Sequence, residues 1–152
     1  MEHAHQVLSG TAVETIQPDA AVIAEAVRAR LDLGHRVALF IDDAEHLEDP
    51  TRALERLLLA RHPGLWVCAA GRADALRSAY GHWTMPIRRT RTGIALRPNL
   101  DTDGDVFATP LPRRAGPFPL GRGCLIRDGD VEVVQVALWP ECEARKRESA
   151  DL

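Results

Sequence analysis

Lysine is nearly missing from this chain: eighteen of its nineteen basic residues are arginine, and the single lysine, Lys146, lies in the charged tail. Cysteine is scarce as well. Cys68, Cys124 and Cys142 make neither a CxxC pair nor a disulfide framework, which predicts a reducing, cytoplasmic setting. No apolar run approaches the roughly 18 residues of a membrane span, and no signal peptide precedes the fold. The six histidines lack metal-ligand spacing, and Ser9 has no nucleophile-elbow context. The DTDGD segment, residues 101–105, fails as a calcium loop because its glycine comes too early and position twelve is Pro112 rather than glutamate. There are no internal repeats.

What is present is enough apolar residue, 45% of 152, for a real core in one domain. The net charge of −3 is unevenly spread. Residues 72–127 carry ten arginines against four aspartates, whereas the flanking stretches are acidic. Such an excess favours a phosphate-bearing or acidic partner, or else a solvated arginine-rich surface.

HQVLSG predicts a short strand followed by a loop. QPDAAVIAEAVRARLDLG predicts a helix with Pro18 in its first turn, Ile23, Val27 and Leu31 on one face, and Gly34 at its C-terminal cap. VALFI, residues 37–41, and LWVCAA, residues 65–70, are continuous apolar runs, as expected of parallel strands covered on both faces. Between them EDPTRALERLLLARHPG predicts a helix with Asp49 as N-cap and Pro50 at the first helical position. RADALRSAYG predicts a short helix and GIALRP, residues 93–98, a short strand. NLDTDGD and PLPRRAGPFPLGRG are turn-rich loops. CLIRDGDVEVVQVAL predicts a hairpin turning at Asp128-Gly129. Strands alternating with helices predict an α/β fold built on a parallel sheet.

The VALFI run ends on two adjacent aspartates, Asp42 and Asp43. Ligands of open α/β sheets bind beyond the carboxyl ends of the strands, where this pair falls. Neighbouring carboxylates repel unless a cation or proton relieves them. Hydrated Mg²⁺ accepts one or two carboxylates together with phosphate oxygens, so the pair suits a nucleoside triphosphate site. The alternative is an acidic first turn of the next helix, favoured by its dipole. A phosphoacceptor receiver domain is excluded, since the next strand ends in Ala69-Ala70-Gly71 and no lysine precedes Lys146.

VALFIDD, then LWVCAAGR, then TGIALRP…DGDVFATPLP…GRGCLIRDGDVEVVQVA follow one another in an order that resembles the C-terminal half of FtsK/SpoIIIE-type P-loop ATPases. The likeness is greatest to the divergent actinobacterial and type VII secretion branch, and it covers roughly residues 5–138. It implies a RecA-like P-loop NTPase fold, partial here: a mostly parallel sheet with flanking helices and a C-terminal β-hairpin. Residues 1–15 would form an N-terminal strand and loop, 16–138 the ATPase core, and 139–152 a flexible tail. It implies ATP and Mg²⁺ as ligands, other ATPase domains or subunits as partners, and DNA or a secreted protein as substrate. Self-association is also expected, since an incomplete sheet leaves an apolar face or strand edge uncovered.

By the same resemblance Asp42 would assist Mg²⁺ through water, and Asp43 would stand where the family has its catalytic glutamate. Asp43 is one methylene shorter. Arg72 matches the family pattern and would contact nucleotide, but Ala70 and Gly71 replace the threonine-glutamine pair that senses the γ-phosphate in DNA-translocating members. The phosphate loop GxxxxGK[ST] is absent. The chain is therefore expected not to hydrolyse ATP alone. It is either the later portion of a motor domain whose loop lies upstream, or a degenerate, non-catalytic interaction platform. Arg88, Arg89 and Arg91 of PIRRTRTG, with Arg122, are candidates for a subunit interface. Solubility of a loop and contact with DNA phosphates are the other readings. No aromatics interleave these arginines to stack bases.

Overall fold

The computed structural model describes residues 5–9, 12–16, 19–113 and 117–137, the first two stretches by their backbone only. The chain divides after Thr90 into two compact units. The charged tail, Lys146, Cys142 and Pro18 lie outside the described residues.

In the first unit, β1 (His5–Ser9) turns back into β2 (Ala12–Ile16), where a loop was expected. Helix α1 (Ala20–Asp32) starts at Asp19, whose carboxylate accepts the Ala21 and Val22 N–H groups at 2.8 and 3.1 Å. It stops in a Schellman motif: Gly34, at φ +80°, donates to the Leu31 carbonyl and His35 to that of Arg30. Its Ile23, Val27 and Leu31 are all buried, as their four-residue spacing predicts.

Strand β3 (Val37–Ile41) lies between β1, antiparallel, and β4 (Leu65–Ala69), parallel, giving the order β2-β1-β3-β4. The expectation of a mostly parallel sheet is corrected to a mixed one with a single parallel pair. The reason is the hairpin: β2 runs in the same direction as β3, and β1 is inserted between them, reversed. Full coverage of β3 and β4 is also corrected. Val37, Leu39 and Ile41 pack with α1 and with Leu54 and Leu57 of α2 (Ala53–Leu59), while Phe40 and Trp66 stay 45% and 73% exposed on the other face.

Helix α2 begins three residues later than expected. Its N-cap position is Arg52, at φ +55°, yet Asp49 still supplies the capping carboxylate, accepting from Ala53 N–H at 2.8 Å and Glu55 N–H at 2.9 Å. Pro50 therefore precedes the helix. Helices α3 (Ala73–Ser78) and α4 (Met85–Arg88) complete the unit, and buried Trp83 donates its Nε1–H to the Leu47 carbonyl at 2.8 Å.

The second unit is an antiparallel sheet in the order β5 (Gly93–Leu96), β6 (Arg122–Arg127), β7 (Asp130–Gln135). Its core is small: Leu111, Cys124 and Ile126, packed with Phe107, Phe118 and Val131 among others. Asp128 and Gly129 both have positive φ, 50° and 93°, the turn type that a two-residue hairpin loop prefers.

Candidate functional site

The paired ends of β3 and β4 set the geometry around the two aspartates. Beyond the ladder, Ala70 N–H donates to the Ile41 carbonyl and Ala44 N–H to the Ala70 carbonyl, both at 2.8 Å. These bonds hold the Asp42-Asp43 turn beside the Ala70-Gly71-Arg72 turn. Asp42 is exposed, and its Oδ1 accepts the Asp43 N–H at 3.0 Å. Asp43 is half-buried in the left-handed region, φ 48° and ψ 44°. Aspartate tolerates that region better than most residues. Six other described non-glycine residues share it, so the conformation alone does not mark a site.

Glu45 joins the two turns. Its Oε1 accepts the Arg72 N–H at 3.1 Å, and its buried Oε2 has no hydrogen-bond partner. That oxygen occupies the space a Cβ on Gly71 would need, so a larger residue at 71 would move the Glu45 carboxylate aside.

Arg72 reaches this place by its backbone only. Its guanidinium turns to Asp74, with Nη2 at 2.7 Å and Nε at 3.3 Å from the carboxylate oxygens. This exposed pair raises the Arg72 pKa and lowers that of Asp74, in each case chiefly through their hydrogen bond. Two carboxylates are within what water-mediated Mg²⁺ asks for, but among the described residues no three His, Cys, Asp or Glu side chains group as a metal site. The acidic half of a Mg²⁺–nucleotide site fits these residues. A lysine for the phosphates does not occur in them.

The arginine candidates separate. Arg88, half-buried in α4, donates Nη1–H to the Leu76 carbonyl at 2.7 Å and contacts Met85 Sδ at 3.4 Å. Burial pushes its guanidinium pKa down. Arg89 is exposed at the C-cap of α4. Arg91 belongs to the second unit, where Nε and Nη2 lie 3.3 and 3.1 Å from Thr109 Oγ1 and its carbonyl accepts the Gly129 N–H. Arg122 opens β6 in that same unit. The PIRRTRTG cluster is thus divided between two units.

No family model matches this sequence. No curated protein matches it either. A solved structure described as "The cytoplasmic domain of EssC" is similar to the chain, with 20% identity, a TM-score of 0.47 and 60% of the chain covered. The match spans 18% of that structure's chain. A likeness this remote assigns neither fold nor activity.

Sequence reasoning found the acidic pair and missed Glu45 and the space Gly71 leaves for it. Both residues were visible as letters, in DDAE and AAGR, but Glu45 and its partner Arg72 are 27 residues apart and no local pattern announces their bond. Among the described residues no helix is long and apolar enough to cross a membrane.

Proposed function

We propose that this chain supplies the acidic, Walker B-containing part of an FtsK/SpoIIIE-like ATP-dependent motor domain. The observation that supports this most is the placement of Asp42 and Asp43 at the carboxyl end of β3, beside the parallel strand β4. Asp42 would hold Mg²⁺ through water, and Asp43 would orient the attacking water. A phosphate loop from another domain or subunit completes the site; exposed Arg89 of the first unit and half-exposed Arg122 of the second are each, separately, candidate interface cations. DNA or a secreted protein is the substrate moved. Bound ATP·Mg²⁺ would supply the phosphoryl chemistry; this chain's residues would position metal and water.

A second reading, a degenerate non-catalytic platform, draws on a different observation. Asp42 Oδ1 already accepts a backbone N–H, and the Arg72 guanidinium is engaged with Asp74. One experiment separates the two. Mn²⁺–ATP added to the ¹⁵N-labelled chain is expected to broaden amide signals locally at residues 42–45 and 70–72, and Asp42→Asn is expected to remove the effect. Uniform or absent broadening favours the platform. On either reading no steady-state ATP hydrolysis is expected from the chain alone, and turnover that disappears in Asp43→Ala would refute that statement.

A further inference from the structure

Away from the aspartate turns, the first unit carries a cleft of about 320 Å³. Residues 48–55, leading into α2, form one side, and residues 79–83, after α3, form the other. Three carboxylates line it, from Glu48, Asp49 and Glu55, against the single guanidinium of Arg52. That guanidinium is spoken for: its Nε lies 2.6 Å from Glu55 Oε2. Both Asp49 oxygens are held by backbone N–H groups, so Asp49 contributes field rather than a free acceptor. Glu48 is exposed, and among the described residues its carboxylate has no partner. The cleft therefore carries an unbalanced negative charge and one free acceptor.

The opposite side is aromatic. Tyr80 is 91% exposed, and Gly81 next to it turns the chain at φ +70°. A phenol ring exposed to water on the lining of an acidic cleft offers a face to a cation. Trp83 behind it is buried and fixed by its bond to Leu47, giving a rigid wall. His82 adds no competing positive charge near neutral pH, because burial first, and then Arg88, lower its pKa against the opposing pull of the Leu47 carbonyl, Asp49 and Glu45.

We infer that this cleft docks an arginine side chain of a partner polypeptide. A planar guanidinium can stack on the Tyr80 ring and present two parallel N–H donors to Glu48. An ammonium would keep the charge but lose the planar stacking and the fork. Anions are disfavoured by the acidic lining, and a purely apolar group would leave Glu48 desolvated without a partner. The volume, at the lower end for ligand pockets, suits one long side chain rather than a nucleotide.

The test titrates the whole ¹⁵N-labelled chain with the tripeptide N-acetyl-Gly-Arg-Gly-amide and follows the indole N–H signal of Trp83 and the amide of Gly81. Saturable shifts are expected, weaker with the lysine tripeptide and absent with the glutamate one. Tyr80→Ala and Glu48→Gln each weaken binding about twofold to fivefold, the range of an exposed cation–π or charged contact. Both residues sit on the surface, so the variants are expected to fold, and an unchanged remainder of the spectrum verifies it. The inference is overturned if no saturable shift appears up to tens of millimolar peptide. It is equally overturned if the glutamate peptide shifts the same signals, or if neither variant alters the arginine titration.

Discussion

Arg88 and Arg89 are adjacent and chemically identical, yet the fold uses them differently. Arg88 lends its Nη1–H to the Leu76 carbonyl from a half-buried position, and Arg89 stands in solvent. Arg88→Ala leaves that carbonyl short of a donor and is expected to cost about 1–3 kcal/mol. Arg89→Ala should stay within about 0.5 kcal/mol of the parent, as surface changes do. Urea denaturation of the two variants checks the contrast, and equal losses would sink it. His82 carries a pH dependence. Its folded pKa is lowered, mainly by burial, from the ordinary value of 6.5. Below that value the unfolded chain takes up a proton more readily than the folded one. The stability contributed by neutral His82 is therefore complete above pH 6.5 and is lost as pH falls from there towards the folded pKa. His82→Gln is expected to flatten the decline of denaturation midpoint on acidification, and an unaltered slope would contradict this.

At the scale of elements, α1 follows its sequence signals along its apolar stripe and at its C-terminal end, whereas it starts at Ala20, after the first-turn place expected for Pro18. Asp19 caps it, the apolar stripe is buried, and Gly34 ends it in a left-handed turn with nothing within 4 Å of where a Cβ would stand. Gly34→Ala thus tests backbone conformation without a steric contribution. The expected loss is about 1–2 kcal/mol, seen as a lower thermal midpoint with the same helical signal by circular dichroism. No change would mean the turn relaxes. Helix α2 shows how local signals shift in register: Asp49 caps as its residue type predicts, but through a loop at Arg52 that sends the helix start to Ala53. The β3–β4 pair was legible as two apolar runs. Its neighbour on the other side was legible as a short strand in HQVLSG, but β2 and the pairing of β1 with both β2 and β3 were not, because strand pairing is not written in either strand alone.

For the whole molecule, the exposed sheet face of the first unit matters most. Phe40 and Trp66 lie on the same face, since Phe40 pairs with Cys68 and Trp66 with Ala38 across the parallel ladder. Strand β4 is also the sheet's edge among the described residues, and its LWVCA sequence has no charge or proline to discourage pairing. The purified chain is expected to self-associate through this surface, and Trp66→Lys to reduce it, as measured by light scattering across a concentration series. A monodisperse monomer with a cooperative melt would count against an uncovered apolar face as an interaction surface.

By itself the sequence determined the elements whose cause is local. Helix α1, the hairpin turn at Asp128-Gly129, the apolar runs of β3 and β4 and the acidic pair that follows β3 all rest on neighbours a few residues away, where propensity, capping and periodicity act. The absence of a phosphate-loop lysine was likewise a matter of reading letters. Tertiary structure alone decided the rest. It inserted β1 between β2 and β3, left one sheet face open, and brought Glu45 against Gly71 and Arg72. It also tied Arg88 to Leu76 and formed the cleft between residues 48–55 and 79–83. Each of these joins residues distant along the chain, and such contacts are chosen by packing and by the need to satisfy buried polar groups, which no single window of sequence contains.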